Sequence, residues 1–157
     1  MMEELEPKRP GQSYSMMTDV VFPEDTNYHG TAFGGMIMRC MDKIATVAAM
    51  RHAAGGVVTA SAGPIEFYKP LRAGQAIELT SKVVWSSKSS MEIDVRVTGE
   101  DFESGERFPT ASGVFIFVAV DHEGKPRAVA PIKAETDEER RRFEEAQVRY
   151  LERKAKK

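Results

Sequence analysis

Between Met36 and Met50 only Arg39, Asp42, Lys43 and Thr46 interrupt a run of methionine, isoleucine, valine, alanine and cysteine. At 100° per residue, Arg39, Lys43 and Thr46 share one narrow stripe, with Asp42 at its edge. A helix that is apolar around most of its circumference has to be covered on most sides. The run therefore predicts a buried central helix over Gly34–His52, stopped by Gly55-Gly56. Whatever else the chain forms has to wrap that helix.

The wrapping material reads as β. A first strand is expected from Tyr14 to Phe22, ending at Pro23. Val57-Val58-Thr59 begins another, and Ile65-Glu66-Phe67-Tyr68 resumes it after Gly63-Pro64, which implies a bend or bulge. Ile77, Leu79, Ser81, Val83 and Trp85 alternate with polar residues. Met91, Ile93, Val95 and Val97 then alternate with Glu92, Asp94, Arg96 and Thr98. That strict period of two implies a half-exposed strand. Val114–Val120 is apolar throughout, as expected of a strand covered on both faces. The sum is an α+β domain in which a curved, mostly antiparallel sheet of about five strands wraps one helix.

Three regions follow from this reading. Residues 1–12, acidic and proline-containing, read as a disordered lead-in; residues 13–132 form the domain; residues 133–157 form a charged C-terminal helix and tail. In that last helix Thr136 and Glu139 make a capping box. Phe143, Ala146, Val148, Tyr150 and Leu151 are its apolar residues, so a thin docking stripe is expected, with Arg153–Lys157 as a solvated basic end.

Composition removes several function classes. Lysine and arginine number 22 against 24 acids, a net charge of −2, which gives no global attraction for nucleic acid or anionic lipid. The single cysteine, Cys40, can form neither an internal disulfide nor a CxxC metal knuckle. No apolar run approaches the ~18 residues of a membrane span. A cytoplasmic protein is expected. His29, His52 and His122 lie in separate segments without metal-ligand spacing, and phosphate-loop, HExxH and GxSxG patterns do not occur.

The chemistry concentrates just before the helix, in Asn27-Tyr28-His29-Gly30-Thr31-Ala32-Phe33-Gly34-Gly35. Glycines at 30, 34 and 35 mark a loop whose backbone approaches something closely. Asp42 lies about 10–12 Å along the helix axis from Gly34. A backbone donor cluster with one acid two turns on suits attack on a carbonyl. Each residue also has a plainer reading. Asp42 can pair with Arg39 at i, i+3. Asn27 can satisfy its own turn. Gly34 and Gly35 can serve close packing, and His29 can be a loop contact. Folding the loop back to its own Asp42 is awkward, whereas an antiparallel neighbouring helix would present its acid readily.

Asp25-Thr26-Asn27, Gly30, Phe33-Gly34-Gly35-Met36-Ile37-Met38 and Met41-Asp42 closely resemble the hotdog-fold acyl-CoA thioesterases. The similar branch holds small bacterial acyl-CoA hydrolases and the cytosolic enzymes of animals. The similarity continues through Val57-Val58-Thr59, Phe67-Tyr68-Lys69-Pro70, Ser89-Ser90 and Val114–Asp121, covering roughly Val21 to Ala130. Gly63-Pro64 departs from the pattern, in which an acid or amide is common near Gly63. The resemblance implies a hotdog fold, a homodimer with a continuous sheet and shared active sites, and assembly to a hexamer or tetramer.

It also implies hydrolysis of fatty acyl-CoA to free acid and coenzyme A. Asp42 would be general base or nucleophile, Gly34 and Gly35 amides would bind the oxyanion, and Asn27 would position water or the carbonyl. No metal or separate cofactor is implied, coenzyme A being part of the substrate. Lys69, Arg72, Lys88, Ser89 and Ser90 are expected along the coenzyme, His29 as a binding contact and Thr59 on the site wall. Two other classes remain open: a non-catalytic acyl-CoA sensor, and a hotdog hydratase or dehydratase, which would want a histidine–acid pair near the substrate.

Overall fold

The computed structural model describes residues 4–156. Its order is β1 (Ser15–Val20), α1 (Gly34–Ala53), β2 (Val57–Ala62), β3 (Glu66–Phe67), β4 (Ala76–Ser86), β5 (Ser90–Glu100), β6 (Arg107–Ala119) and α2 (Asp137–Ala155). One antiparallel sheet runs β1-β4-β5-β6-β2, and the two-residue β3 also pairs with β6. Helix α1 packs against β1, β2, β4, β5 and β6, so the sheet curls around it.

Small side chains make that curl possible. Ala45, Ala48 and Ala49 of α1 are wholly buried, and they meet Ile77, Leu79, Val83, Ile93, Val95 and Phe117 from the concave face. Ser81, the polar residue in that inward row, donates to the Ile44 carbonyl at 2.7 Å and is thereby satisfied. Burial pushes the Cys40 thiol pKa up, in keeping with a packed apolar role.

The helix is not buried all round. Met38, Val47 and Met50 are 45%, 39% and 47% exposed, so the face away from the sheet stays bare in a single chain. Its left-handed C-terminal residue is Ala54 (φ 53°, ψ 46°), one position before the expected glycine pair. β1 is shorter than expected at both ends; at its C-terminal end Val21 turns away to bond Gln75 and Gly74.

β2 and β3 run along the same partner, β6, interrupted at Gly63-Pro64 as expected. A second irregularity falls at Ala60, where the register shifts between Thr59 and Ser61. β2 is the last strand of the sheet and is exposed along nearly its whole length.

The expected half-exposed strand is covered on both faces at Glu92 and Asp94, while Arg96 on the same outer face stays exposed. In β5, Glu92 is fully buried and Asp94 nearly so, because α2 lies across the outer face. A bulge between Val83 and Trp85 turns Val84 and Trp85 outward, where they pack with Phe143, Ala146 and Tyr150. The stripe is narrower than expected, since Val148 and Leu151 remain more than half exposed. Arg149 clamps Glu92 with two bonds, Nε–Oε1 at 2.9 Å and Nη2–Oε2 at 2.6 Å. Only half of the capping box forms: Glu139 N donates to Thr136 Oγ1 at 3.0 Å, and no return bond is present among the described residues.

The expected lead-in differs as well. Residues 1–3 lie outside the described residues. From Lys8 the segment is pinned, with Lys8 N bonded to the Pro131 carbonyl, Lys133 N to the Lys8 carbonyl, and Lys8 Nζ to the carbonyl of His52. Ser13, 1% exposed, plugs the sheet by accepting from Val83 N at 2.8 Å.

Arg149→Ala should lower stability by about 3 kcal/mol, the low end for a broken buried pair because Arg149 keeps one edge in solvent. Chemical denaturation measures this, and Glu92→Gln in the same background should recover part of the loss. An unchanged midpoint in Arg149→Ala would show that the pair does not hold α2 to the sheet.

Candidate active site

The glycine loop is sewn to the rest of the chain by its backbone. Ala32 N bonds the Leu71 carbonyl at 2.6 Å, Phe33 N bonds the Asp25 carbonyl at 2.8 Å, and Asn27 N bonds the Thr31 carbonyl at 2.8 Å. Gly30 takes φ +79°, a value that side-chain-bearing residues avoid. Asn27 Oδ1 accepts from His29 N, Thr31 N and Thr31 Oγ1 at 2.9, 3.3 and 3.2 Å. The plain turn-forming reading of Asn27 is therefore correct for its oxygen. Its NH₂ group donates to nothing among the described residues.

The helix that follows begins without a cap. Most helices start with Ser, Thr, Asp or Asn, whose side chain occupies the first free amides. Here the N-cap is Phe33, which has no acceptor to offer. Met36 N and Ile37 N turn back to the Phe33 carbonyl, and the Gly34 and Gly35 amides are left as outward donors. Two adjacent free N–H groups at the positive end of a twenty-residue helix form an anion-stabilising pair. A Cβ at Gly35 would lie 2.7 Å from Phe33 Cε1, so a side chain there would displace the ring that flanks these donors.

Beside Gly34 opens a pocket of about 180 Å³ lined by Ala32, Ile37, Phe67, Tyr68, Pro70 and Thr110. Its walls are mostly apolar. Thr110 is 1% exposed, and its hydroxyl has no hydrogen-bond partner among the described residues. No sequence signal marked Thr110, which sits inside an unremarkable strand.

Asp42, half-buried two turns along α1, accepts a 2.9 Å bond at Oδ1 from Thr59 Oγ1 of β2. The alternative pairing with Arg39 is not among the ion pairs of the described residues. Thr46 meanwhile bonds the main-chain carbonyl of Asp42 at 2.8 Å. Thr59 thus fixes one carboxylate oxygen against the last strand of the sheet and leaves the other free to take a proton. Among the described residues of one chain no hydrogen bond joins the Asp42–Thr59 pair to the Asn27 loop.

The remaining expected contacts separate into two ends of the molecule. Lys69 lies by the Gly34 pocket, 3.3 Å from Glu106 and over the Phe108 ring at 4.3 Å. Arg72 is exposed in the adjoining turn, bridged to Thr31. His29 is exposed and stacks with Tyr28 at 3.9 Å between centroids. Within the described residues it meets no carboxylate among the ion pairs. Lys88, Ser89 and Ser90 sit at the far end of the eleven-residue β4, on the order of 30 Å from Arg72. One protomer therefore does not bring all five coenzyme candidates together.

A family model described as the thioesterase superfamily matches residues 29–105. The chain is 40% identical to Bacillus subtilis YkhA, named an uncharacterized acyl-CoA thioester hydrolase, over 99% of this chain and 91% of that one. It is 38% identical to the mouse cytosolic acyl coenzyme A thioester hydrolase over 96% of this chain, but it spans only 40% of that relative's length. A hexameric acyl-CoA thioesterase superposes with a TM-score of 0.92 at 38% identity, covering 97% of each chain. An acyl-CoA hydrolase from Staphylococcus aureus, solved with butyryl coenzyme A and coenzyme A, superposes at 0.86 with 37% identity, covering 95% and 91%. That hydrolase has also been solved with an asparagine, an aspartate or a threonine replaced by alanine. Those three positions are spaced along its chain as Asn27, Asp42 and Thr59 are here. The chain belongs to the hotdog-fold acyl-CoA thioesterase family.

Thr59→Val, which keeps the shape and removes the hydroxyl, should cost about 1 kcal/mol or less of stability, since the bond lies at the surface. Unfolding midpoints measure this. A loss several times larger would mean that Thr59 supports the strand beyond its bond to Asp42.

Proposed function

We propose that this protein hydrolyses the thioester of acyl-CoA, using Asp42 as general base and the amides of Gly34 and Gly35 as the oxyanion site. The observation that carries the reading is the Asp42–Thr59 bond, which holds a carboxylate beside the exposed final strand of the sheet. Family membership and the S. aureus complex with butyryl coenzyme A support the substrate class.

A thioester carbonyl is electrophilic because sulfur shares its lone pair poorly. Asp42 takes a proton from water as that water's oxygen attacks the carbonyl carbon. The charge that develops on the carbonyl oxygen falls to the two free amides at the helix tip, which need no rearrangement to receive it. Collapse breaks the carbon–sulfur bond, and the departing thiolate of coenzyme A takes up the proton. The unengaged NH₂ of Asn27 orients water or the carbonyl. Metal and separate cofactor play no part in this scheme.

Acid and amides meet between two copies. The edge of β2 and the bare apolar face of α1, with Met38, Val47 and Met50, are the surfaces that would join. Antiparallel pairing along β2 extends the sheet and turns each Asp42 toward the glycine loop of the other copy. The hexameric relative is consistent with further assembly. The mouse relative is named cytosolic, and no helix among the described residues is long and apolar enough to cross a membrane. A cytoplasmic setting fits both.

Free-thiol release measured over acyl-CoAs of increasing length should show turnover, with Asp42→Ala slower by about 10²–10⁴-fold in a folded protein. Wild-type rates in that variant across the whole panel would overturn the role of Asp42.

Sharing of the site has its own test. Asn27→Ala and Asp42→Ala chains, unfolded together and reassembled, should regain about a quarter of wild-type activity, because half the dimers are mixed and each restores one site. No recovery, with dimers verified by light scattering, would place both residues in one chain's site.

A further inference from the structure

The pocket of about 180 Å³ beside Gly34 has a wall that the hydrolytic steps leave unexplained. Ala32, Ile37, Phe67 and Pro70 make it apolar. Two of its polar side chains are already engaged: the Tyr68 hydroxyl bonds Glu66 at 2.9 Å and Ser112 at 2.7 Å, and Lys69 bonds Glu106 at 3.3 Å. Thr110 is the exception. It is 1% exposed, and its Oγ1 finds no hydrogen-bond partner among the described residues. A hydroxyl sealed from water and left unpaired is unfavourable, whereas valine would fill the same space without that cost.

The strand is built to hold Thr110 there. Along β6 the core residues Ala111, Phe115, Phe117 and Ala119 keep step with one another, and Phe108 falls out of step. The parity changes because β6 bulges: Val97 of β5 pairs with Ala111 but Thr98 pairs with Pro109, so Thr110 faces no residue of β5. Its carbonyl accepts from Tyr68 N at 2.8 Å, which fixes the extra residue beside β3. A regular strand would alternate Thr110 onto the outer face with Ser112. The bulge instead turns it in toward Gly34 and Ile37 of α1.

Pocket and proposed oxyanion site share Gly34. An acyl group whose carbonyl oxygen lies on the Gly34 and Gly35 amides therefore enters the pocket with its first carbons. Carbon 2 stays beside the amides, and carbon 3 is the first to stand among the apolar walls. A plain hydrocarbon chain there covers Thr110 and leaves its hydroxyl orphaned. A chain with an oxygen on carbon 3 gives that hydroxyl a partner. We infer that Thr110 is a specificity-determining residue: its Oγ1 donates to a hydroxyl or oxo oxygen on the third carbon of the acyl group, so the pocket selects 3-oxygenated acyl-CoA over the unsubstituted chain. The inference deepens the hydrolase reading and rests on it, because that reading sets where the carbonyl lies.

Butyryl-CoA, both enantiomers of 3-hydroxybutyryl-CoA, and acetoacetyl-CoA have the same chain length. Free-thiol release from each is measured in wild type, Thr110→Val and Thr110→Ser. Wild type should favour acetoacetyl-CoA and at least one hydroxy enantiomer over butyryl-CoA by about tenfold or more in kcat/KM. Thr110→Val should lower that ratio about tenfold, a comparison in which the intrinsic reactivity of each thioester cancels. Thr110→Ser, which keeps the hydroxyl, should retain the preference. Because the hydroxyl has no partner to lose, the unfolding midpoint of Thr110→Val should equal or exceed that of wild type.

Wild type that splits butyryl-CoA as well as it splits the oxygenated thioesters overturns the inference and leaves the hydrolase reading intact. So does a preference that Thr110→Val keeps. A lower midpoint in Thr110→Val with equal losses on every substrate would make Thr110 a packing residue and overturn the inference as well. If wild type splits none of the thioesters, the hydrolase reading fails, and calorimetry of the intact thioesters decides the rest: tighter binding of the oxygenated ones that Thr110→Val abolishes sustains the role of Thr110, and equal binding removes it.

Discussion

The close fit of α1 into the curled sheet is the contact on which the rest depends. Three alanines, Ala45, Ala48 and Ala49, let the sheet come near enough to close around one side of the helix. A sheet curled that tightly cannot also reach the far side, so Met38, Val47 and Met50 are left uncovered. The same curl ends the sheet at β2, which lies against α1 and has β6 on one side only. Bare helix face and exposed strand edge are therefore one consequence of one packing arrangement. Asp42 and Thr59 occupy that boundary, where the acid is held by its own chain beside the open edge of the sheet.

Much of this was legible in the sequence because the signals were local. A long apolar helix and a strict two-residue alternation fix element type through geometry that every helix and strand shares. The glycine loop was legible for the same reason, since Gly30 needs its positive φ whatever surrounds it. What was not legible depended on contacts between distant segments. The alternation of Met91 to Thr98 signals two chemically different faces, and a polar face ordinarily meets water. Here its first part meets α2, and Glu92 is buried because Arg149, fifty-seven residues later, supplies both of its bonds. Nothing near Glu92 announces that partner. The lead-in is ordered in the same way: Lys8 is fixed by residues 131 and 133 rather than by its neighbours. Thr110 was invisible because a lone threonine in a strand is ordinary, and only its pocket sets it apart.

Burying Glu92 is a costly way to attach a helix, since an apolar pair of similar volume would hold at least as well. What the ion pair adds is a fixed placement. Apolar contacts between Phe143, Ala146, Tyr150 and the Val84–Trp85 ledge would tolerate sliding along the sheet. A bidentate guanidinium–carboxylate bond does not, because both oxygens must meet both nitrogens. Trp85 Nε1 adds a second fixed point on Gln147 at 2.7 Å. The helix end that carries Tyr150, Arg153 and Lys154 thereby keeps a set distance from β2 and β6.

The uncapped start of α1 follows the opposite logic. Capping the first turn with Ser, Thr or Asp would ordinarily be favourable by about 1 kcal/mol. Phe33 forgoes that gain, and Gly35, a poor helix former, forgoes a little more. Both choices weaken the helix at the one place where free amides are chemically useful. A cap would fill the donors with the chain's own oxygen, and a side chain at Gly35 would push Phe33 out of position. The deficit is tolerable because α1 draws its stability from the sheet around its middle turns, where Met41, Ile44 and Ala45 are sealed from water. The helix tip can therefore be left open, as the proposed oxyanion site requires, without loosening the fold that carries it.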